Sequence, residues 1–175
     1  MIQAKSDLTT RLTGTKLPPV SLVDTGGNTI TLATLSGCTV VYIYPRTSPQ
    51  NEPPIPGWAD ISGAKDCTPQ SCGFRDHHGD LRAAGVTSVF GLSTQDSTFQ
   101  SEVVARITLP FPLLSDSALK LQSALNLPVV KTGGMTLLER FTMVIDDGVI
   151  TKVFHPIPDP QSKAQDILTY LSNRV

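Results

Sequence analysis

The feature that most constrains the fold is a run of β-branched and aromatic residues at positions 38–44, Cys-Thr-Val-Val-Tyr-Ile-Tyr, which ends at Pro45. A strand with one face in water alternates apolar and polar side chains, whereas this run is apolar at almost every position. Continuous runs of this kind are typical of strands that are buried on both faces. We therefore predict that this segment is a central strand of a covered sheet.

Strand and helix patterns alternate along the rest of the chain, which indicates an α/β sheet covered by helices on both faces. Short apolar runs predict strands at 86–93 and 113–114, and Asp147-Gly148 predicts a hairpin between 141–145 and 149–154. Apolar residues at helical spacing predict four helices. The first covers 67–84 and the second is marked by Phe99, Val103 and Ile107. The third is capped by Ser115-Asp116 and carries Leu121 and Leu125, and Asp159-Pro160 opens the fourth.

These elements predict one domain over residues 1–175, with an N-terminal β-hairpin in residues 20–32. Residues 1–16 are polar without a clear period, so we expect a poorly structured segment there. Residues 46–66 form a long loop that is rich in proline and contains the only tryptophan, Trp58. Long loops of this kind are often functional. This loop is either a surface insertion anchored by Trp58 or a lid that shapes the mouth of an active site.

Composition and charge disfavour several classes of function. The chain has 175 residues, 39% of them apolar, and a net charge of −1, so nothing favours binding to nucleic acid or to an anionic membrane. No apolar stretch approaches the ~18 residues of a membrane span. The N-terminus lacks the basic and apolar run of a secretory signal, and three cysteines are too few for a secreted disulfide framework. We therefore expect a cytoplasmic protein.

Two of the three cysteines, Cys67 and Cys72, lie five positions apart at the predicted start of a helix. A thiol at a helix N-terminus meets unpaired backbone N–H groups and the positive end of the helix dipole. Both favour the thiolate, which lowers the pKa of such a cysteine and raises its reactivity. The pair therefore indicates redox chemistry on a thiolate, with Cys72 as a possible disulfide partner of Cys67.

An intact helix would keep Cys67 and Cys72 apart. Positions i and i+5 differ by roughly 140° around the helix axis and by ~7.5 Å along it. A disulfide requires Cα atoms within about 7 Å and Cβ vectors that face each other. Pairing therefore needs the first turns to unwind, and Pro69 already weakens hydrogen bonding in that region. The sequence is compatible with a local switch between order and disorder.

Other interpretations of these residues stay open. His77 and His78 extend the pattern to C-x4-C-x4-H-H, which suggests a zinc site. Against zinc, the four side chains would point to different sides of one helix, and the short C-x2-C knuckle is absent. His78 is more simply a histidine packed on an apolar face. Cys38, at the start of the buried strand, is most simply an inert core residue.

Four stretches of the chain resemble the peroxiredoxins, and specifically the Q-type subfamily, also called bacterioferritin comigratory protein. They are YIYPR followed by CTPQSCGFRD, then VFGLST, LPFPLLSD and ERFTMVIDDGVI, in the family's order. The resemblance extends from about Leu17 to the last helix. It implies a thioredoxin fold, with a central mixed β-sheet flanked by helices, and a cysteine-dependent peroxidase that needs no metal, haem or other cofactor.

The resemblance also implies a role for four residues. Cys67 matches the peroxidatic cysteine, which attacks the peroxide O–O bond, and Cys72 matches the resolving cysteine of the type that lies on the same helix. Arg140 matches the arginine that holds the thiolate and the peroxide, and Pro45 matches the proline that shields the pocket. The implied partners are a hydroperoxide and thioredoxin or a similar dithiol, and the implied state is a monomer or a weak homodimer.

The sequence departs from the family pattern P-x-x-x-T-x-x-C in the loop before Cys67. An insertion of about 15 residues separates Pro45 from Cys67, and Ala64 stands where a threonine or serine usually binds the peroxide. Asp66 replaces a frequent glycine. Ser62 or Thr68 is the alternative source of that hydroxyl, and Trp58 on the insertion is a further candidate for contact with a bulkier hydroperoxide.

Two other classes of function share these features. A thiol–disulfide oxidoreductase of the same fold usually carries C-x-x-C, which this chain lacks. A non-catalytic redox sensor would be oxidised stoichiometrically and then bind a partner, and Ala64 is the residue that favours this alternative. Rapid mixing with hydrogen peroxide separates both from a peroxidase, because only a peroxidase consumes peroxide rapidly and repeatedly.

Overall fold

The computed structural model describes residues 7–47, 67–157 and 159–174. In chain order, the helices and strands are α1 (Asp7–Leu12), β1 (Ser21–Asp24), β2 (Thr29–Thr31), β3 (Cys38–Ile43), α2 (Cys67–Asp76), α3 (His78–Ala83), β4 (Val86–Ser93), α4 (Ser97–Ile107), β5 (Leu113–Ser115), α5 (Lys120–Leu125), β6 (Val129–Thr132), β7 (Met135–Leu138), β8 (Phe141–Asp146), β9 (Val149–Phe154) and α6 (Lys163–Ser172). Short 3-10 helices lie at Leu32–Thr34 and Pro160–Ser162.

The main sheet has the strand order β2-β1-β5-β4-β3-β8-β9, and β6 and β7 form a separate hairpin. β3 is parallel to β4, and β4 is parallel to β5. The remaining pairs are antiparallel, including β1 with β2 at the N-terminal hairpin and β3 with β8. The sheet is therefore mixed, as predicted, and β3 lies between β4 and β8 near its centre.

β3 separates two hydrophobic cores because successive side chains of a strand point to opposite faces of the sheet. All six residues of the strand are buried, which confirms the prediction made from its composition. One core joins Val41 and Ile43 to leucines of α1 and α5: Leu8, Leu12, Leu121 and Leu125. The other joins Val40 and Tyr42 to residues of α2, α3, α4 and α6: Phe74, Leu81, Val103 and Ile167.

Local signals in the sequence also predict two of the connections correctly. Asp147 and Gly148 have φ of 48° and 81°, the left-handed backbone that a tight turn between β8 and β9 requires. The carboxylate of Asp116 accepts hydrogen bonds from the backbone N–H groups of Leu121 and Gln122, at 3.0 and 2.9 Å. Asp116 therefore caps α5.

The prediction that residues 1–16 are poorly structured is wrong for residues 7–12, which form α1. Leu8 and Leu12 lie one turn apart and are only 3% and 1% exposed, because they cover the face of the sheet that carries Val41 and Ile43. Two apolar residues in a six-residue helix give no period that sequence analysis detects. Residues 1–6 lie outside the described part of the chain.

Two further elements differ from the prediction. The helix predicted over 67–84 is interrupted at His77, where φ is −102° and ψ is 8°, so α2 and α3 are separate helices. Ala84, the last residue of the predicted helix, is exposed. The β6–β7 hairpin was not predicted, although it turns at Gly133-Gly134, where both φ values are positive.

Most of the 46–66 loop lies outside the described residues, which include only Arg46 and Thr47 from it. Whether the loop acts as a surface insertion or as a lid therefore stays a prediction. Across the described ranges, none of the helices is both long and apolar enough to cross a membrane.

Candidate active site

Pro45 and Arg140 lie at the same end of the sheet because β3 and β8 run antiparallel. Ile43, the last residue of β3, pairs with Phe141, the first residue of β8. Pro45 follows β3 by two residues, Arg140 immediately precedes β8, and both are buried. The fold therefore brings together two residues that are far apart in the sequence and that the family resemblance selects for one site.

The buried side chain of Arg140 reaches the first turns of α2. Arg140 is 3% exposed, and its Nη1 donates a hydrogen bond to Oε1 of Gln70. A guanidinium stays charged in proteins, and its burial costs free energy unless its N–H groups find acceptors. Gln70 lies three positions after Cys67, and positions i and i+3 share one face of a helix. Arg140 therefore presents a fixed positive charge to the face of α2 that includes position 67.

Gln70 has a second polar atom at the same place. Its Nε2 is buried and has no hydrogen-bond partner among the residues that the structure describes. Because an arginine only donates, Oε1 of Gln70 must face Arg140, and the amide N–H groups must face away from it. A buried donor without a partner is rare in native proteins and is often explained by function. The site thus contains an available N–H donor next to a guanidinium.

The middle of α2 is fixed to the sheet by Tyr42 of β3. The hydroxyl of Tyr42 donates to Oγ of Ser71 at 2.9 Å, and its ring stacks on Phe74 with centroids 4.5 Å apart and planes 7° apart. On its other side α2 approaches the 3-10 helix Pro160–Ser162. A Cβ on Gly73 would lie 2.7 Å from the carbonyl oxygen of Gln161, so only glycine fits at this contact.

The two cysteines of the predicted redox pair lie on one continuous helix. α2 begins at Cys67 and contains Cys72, which is half-buried. The ~7.5 Å rise between these positions exceeds what a disulfide spans, so α2 as observed holds the pair apart. Arg75 lies near Cys72: the hydrogen bond to Asp76, followed by the charge of Cys72, raises the pKa of Arg75. The side chain of Cys67 lies outside the described part of the structure.

The predicted substrate contacts are only partly described. Thr68 is half-buried in the first turn of α2, next to Cys67. Trp58, Ser62 and Ala64 lie outside the described residues, so their proposed contacts stay predictions.

The start of the 46–66 loop is anchored beside this end of the sheet. Gln95 accepts hydrogen bonds from the backbone N–H and the hydroxyl of Thr47, at 3.0 and 3.3 Å, and its Nε2 donates to the carbonyl of Thr47 at 2.9 Å. An open cavity of about 710 Å³ adjoins this anchor. It lies between the end of β4, the start of α4 and the β6–β7 hairpin, and its lining includes Arg46, Thr94, Gln95, Phe99, Met135 and Leu137.

A carboxylate and a histidine form a pair next to Arg140 in the chain. Nε2 of His155 lies 2.9 Å from Oε1 of Glu139, the residue that immediately precedes Arg140. The His155 side chain is 2% exposed and that of Glu139 is 34% exposed. Sequence analysis gave no signal for this pair, because the two residues come from different strand ends and meet only through the β8–β9 register.

Cys38 lies at the opposite end of β3 from Pro45, about 16 Å along a six-residue strand at ~3.3 Å per residue. It is 8% exposed, and burial, followed by the neighbouring charge of Asp146, raises the pKa of its thiol above 9.0. Both features disfavour a thiolate, so the structure agrees with the interpretation of Cys38 as a core residue.

The histidines after α2 also bear on the zinc alternative. The ring of His78 packs against Phe111, with centroids 5.6 Å apart, and burial, followed by the charge of Arg82, lowers the pKa of His78. Nδ1 of His77 lies 3.5 Å from Oδ2 of Asp80. Within the described ranges there is no group of three or more histidine, cysteine, aspartate or glutamate residues with the spacing of a metal site.

Comparison with known proteins agrees with this geometry. A family model described as Redoxin matches residues 12–169. The chloroplastic peroxiredoxin Q of Sedum lineare is 31% identical over 162 residues, which are 91% of this chain and 77% of that protein. The chloroplastic peroxiredoxin Q of Oryza sativa subsp. japonica is 30% identical over 162 residues, 91% of this chain, but the chain spans only 66% of its length.

Solved structures of the same type share the fold. Peroxidoxin BcpB from Mycobacterium tuberculosis superposes with a TM-score of 0.74 at 22% identity, over 92% of this chain and 96% of that one. The bacterioferritin comigratory protein of Xanthomonas campestris gives 0.72 at 21% identity, over 91% and 96%. The mixed sheet with helices on both faces is therefore a thioredoxin-like fold, here with a buried arginine next to a helix that begins at a cysteine. The chain belongs to the redoxin family, as a peroxiredoxin of the Q type.

Sequence analysis missed several residues that shape the site. Gln70 and Ser71 lie within the recognised stretch CTPQSCGFRD but carry no chemistry that marks them in isolation. Tyr42 was assigned only to a buried strand, whereas its hydroxyl also bonds α2. A buried tyrosine usually needs a partner for its hydroxyl, and this was the one signal available.

Proposed function

We propose that the chain is a thiol-dependent peroxidase that reduces hydrogen peroxide and organic hydroperoxides through Cys67. The observation that carries the proposal is the buried guanidinium of Arg140 at the first turns of α2, the helix that begins at Cys67. A positive charge and a helix N-terminus both favour a thiolate over a thiol. Family membership supports the role of Pro45 as the proline that shields the pocket.

In the first step, the Cys67 thiolate attacks the outer oxygen of the hydroperoxide. An S–O bond forms and the O–O bond breaks, which gives a sulfenic acid on Cys67 and leaves an alkoxide or hydroxide that takes a proton. Arg140 stabilises the thiolate before attack and the negative charge on the leaving oxygen during it. We assign to Nε2 of Gln70 the hydrogen bond to a peroxide oxygen that the family pattern gives to a hydroxyl at the position of Ala64.

In the second step, the thiol of Cys72 attacks the sulfenic sulfur, an S–S bond forms and water leaves. This step requires the first turns of α2 to unwind. Gln70 and Ser71 lie between the two cysteines, so their hydrogen bonds to Arg140 and Tyr42 break in the process. These contacts therefore stabilise the folded helix until Cys67 has been oxidised. An external dithiol, for which we propose thioredoxin, then exchanges with the disulfide and restores both thiols.

The cavity lined by Arg46, the residue that follows Pro45, supports an organic hydroperoxide as well as hydrogen peroxide. Its volume of about 710 Å³ lies within the ~300–1,000 Å³ that small-molecule sites usually occupy. Phe99, Met135 and Leu137 give it an apolar part that suits an alkyl or aryl tail, beside polar residues that include Asp96 and Ser117. We further propose that the protein works as a monomer or a weak homodimer in the cytoplasm.

A peroxidase assay coupled to thioredoxin and its reductase tests the proposal. Hydrogen peroxide, tert-butyl hydroperoxide and cumene hydroperoxide are compared in the wild type and in Cys67→Ser, Cys72→Ser and Cys38→Ser. We expect no turnover with Cys67→Ser, a single turnover without cycling for Cys72→Ser, and wild-type rates with Cys38→Ser. Sustained turnover in Cys67→Ser would reject the assignment of the attacking sulfur.

The same assay separates the alternatives. A redox sensor would consume about one equivalent of peroxide and then stop, even with thioredoxin present. A thiol–disulfide oxidoreductase would reduce a disulfide substrate but would react with peroxide no faster than free cysteine.

A further inference from the structure

Met135 is a methionine on the wall of the large cavity. The chain has three methionines, of which Met1 lies outside the described residues and Met143 of β8 is 0% exposed. Met135, at the start of β7, is half-buried, and it lines both the cavity of about 710 Å³ and a smaller one at the turn between β6 and β7. A hydroperoxide that enters the larger cavity therefore comes close to this residue.

An arginine covers one side of the Met135 sulfur. Nη1 of Arg46 donates a hydrogen bond to Sδ of Met135 at 3.6 Å, an ordinary contact distance for an atom as large as sulfur. A thioether is a weak acceptor with two lone pairs. The hydrogen bond occupies one lone pair, so the other is the one that is free to react.

The backbone on each side of this contact is held in place. Thr47, next to Arg46, is buried and hydrogen-bonded through both its backbone N–H and its carbonyl. Thr136, next to Met135, accepts a hydrogen bond through its carbonyl from the hydroxyl of Thr94 at 3.1 Å. Both side chains therefore start from fixed backbone positions, which favours one arrangement of the guanidinium and the thioether.

We propose that Met135 is a site of oxidation to methionine sulfoxide and that Arg46 directs the added oxygen to one side of the sulfur. The free lone pair attacks one oxygen of a hydroperoxide, an S–O bond forms and the O–O bond breaks. The proton of the attacked oxygen passes to the other oxygen, which leaves as water or an alcohol. The sulfur is oxidised by two electrons, and the hydroperoxide is reduced by two. Because a sulfoxide is chiral, attack through one lone pair gives mainly one epimer.

The oxidation changes the cavity that the proposed function assigns to an organic hydroperoxide, and this part of the inference rests on that function. A sulfoxide is polar where the thioether is apolar. An alkyl or aryl tail that packs against it removes water from the new oxygen, which costs free energy. Oxidation of Met135 therefore shifts the preference of the protein from organic hydroperoxides towards hydrogen peroxide.

The first test compares two methionines of one molecule. Trypsin places Met135 on the peptide 132–140 and Met143 on the peptide 141–152. The wild type, with its thiols reversibly blocked by methyl methanethiosulfonate, is treated with excess hydrogen peroxide, and mass spectrometry follows the sulfoxide in each peptide. We expect Met135 to be oxidised about tenfold faster than the buried Met143, or more. Equal rates would overturn the proposal.

The decisive readout is the epimer of the Met135 sulfoxide, because exposure alone favours neither epimer. Methionine sulfoxide reductases A and B each reduce one epimer. We expect one of them to reduce about four-fifths or more of the sulfoxide in the peptide 132–140. In Arg46→Ala the two fractions should become nearly equal. The matched control is Arg82→Ala, which removes an exposed arginine that bonds the carbonyl of Thr87 and should keep the wild-type fractions.

Two results would overturn the directing role of Arg46. One is equal amounts of the two epimers in the wild type, a measurement that needs no substitution. The other is the wild-type excess of one epimer in a folded Arg46→Ala protein.

Peroxidase kinetics test the consequence for substrate choice. After the peroxide treatment the blocked thiols are restored with dithiothreitol, which leaves methionine sulfoxide intact. The ratio of the rate constant with cumene hydroperoxide to that with hydrogen peroxide should fall about threefold to tenfold in the wild type. In Met135→Leu, which forms no sulfoxide at this position, the same treatment should leave the ratio at that variant's own untreated value. An equal fall in both proteins would overturn the consequence.

The peptide analysis needs no peroxidase activity, so the two proposals fail separately. An excess of one epimer at Met135 in a protein that does not turn over hydroperoxide would reject the peroxidase function and keep the modification site. Turnover of hydroperoxide with equal epimers at Met135 would do the reverse.

Discussion

Arg140, immediately before β8, donates a hydrogen bond to Gln70 on α2, 70 positions away in the chain. Since arginine has no acceptor, this contact fixes which way the Gln70 amide points. The carbonyl faces the guanidinium, and the buried Nε2 has no partner within the described part of the chain. One contact therefore places a positive charge and an available N–H donor on the same side of α2.

Replacing Gln70 with methionine tests the use of that donor. Methionine has a similar volume and fills the space without either polar atom. We expect the rate constant of Cys67 with hydrogen peroxide to fall about tenfold, the effect of losing one hydrogen bond of ~1.4 kcal/mol in the transition state. Alkylation of Cys67 by iodoacetamide, which has no peroxide oxygen to bind, is the control and should change by less than threefold. Equal losses in both reactions would show that Gln70 acts only on the thiolate.

Tyr42→Phe should accelerate formation of the Cys67–Cys72 disulfide. The variant keeps the ring that stacks on Phe74 but loses the 2.9 Å hydrogen bond to Ser71, which must break when α2 unwinds. One such bond is worth about 1 kcal/mol, so the unwound state should become about fivefold more populated. The measurement is the rate at which the disulfide appears by mass spectrometry after one equivalent of peroxide.

Ser71→Ala removes the same hydrogen bond from the other side and should give the same acceleration. Tyr170→Phe, on α6, is the matched control: Tyr170 packs edge-to-face on Phe154 of β9, and its ring stays in the variant, so the rate should not change. A disulfide rate that is unchanged or slower in both Tyr42→Phe and Ser71→Ala would show that unwinding of α2 does not limit this step.

Two glycine-to-alanine substitutions should have opposite effects on stability. At Gly73 the new Cβ would lie 2.7 Å from the backbone carbonyl of Gln161, so α2 and the 3-10 helix must separate. We expect a loss of about 1–3 kcal/mol in the free energy of unfolding. At Gly79 no described atom beyond its chain neighbours and the backbone of its own helix lies within 4 Å of the added Cβ, and alanine in a helix should add about 0.5–1 kcal/mol. Urea unfolding measures both, and a neutral or stabilising Gly73→Ala would contradict the close contact.

The ion pair of Asp146 and Arg174 should make stability depend on pH. Burial alone would raise the pKa of Asp146, but hydrogen bonds from Arg174, at 2.7 Å, and from Thr151 outweigh it and lower the pKa below the ordinary 3.8. A carboxylate with a lowered folded-state pKa contributes stability above its unfolded-state pKa and loses it as the pH falls through the folded-state value.

For Arg174→Ala we therefore expect a loss of less than about 1 kcal/mol at pH 7, since the pair is partly exposed, and a smaller loss at pH 2.5. Urea unfolding at the two pH values gives both numbers. The same loss at pH 7 and pH 2.5 would show that Arg174 acts through packing on Tyr170 rather than through the charge of Asp146.

Much of this fold could be predicted because its signals are local. The composition of β3, the turn at Asp147-Gly148 and the capping carboxylate of Asp116 each act within a few residues, and each prediction is confirmed. α1 shows the limit of such predictions. Its six residues bury only Leu8 and Leu12, and the residues against which these leucines pack are far away in the chain.

The residues of the site also divide into those that the sequence identifies and those that it does not. The stretch around Cys67 could be recognised from its sequence, and so could Arg140, because the order of motifs identifies them. The contacts of Gln70, Tyr42 and His155 could not, since each joins residues from separate elements and depends on the packing of α2 and on the register of β8 and β9. Long-range side-chain pairs of this kind leave no pattern in a single sequence.

The central claim is that the charge of Arg140 holds Cys67 as a thiolate. The most direct measurement is the rate constant of Cys67 with hydrogen peroxide from pH 4 to 10, for the wild type, Arg140→Met and the control Arg82→Met, an exposed arginine of α3 that donates to the carbonyl of Thr87. We predict an apparent Cys67 pKa well below the ordinary ~8.5 in the wild type and in Arg82→Met. In Arg140→Met this pKa should rise, and the rate at pH 7 should fall about 100-fold or more. An unchanged profile in Arg140→Met would contradict the account.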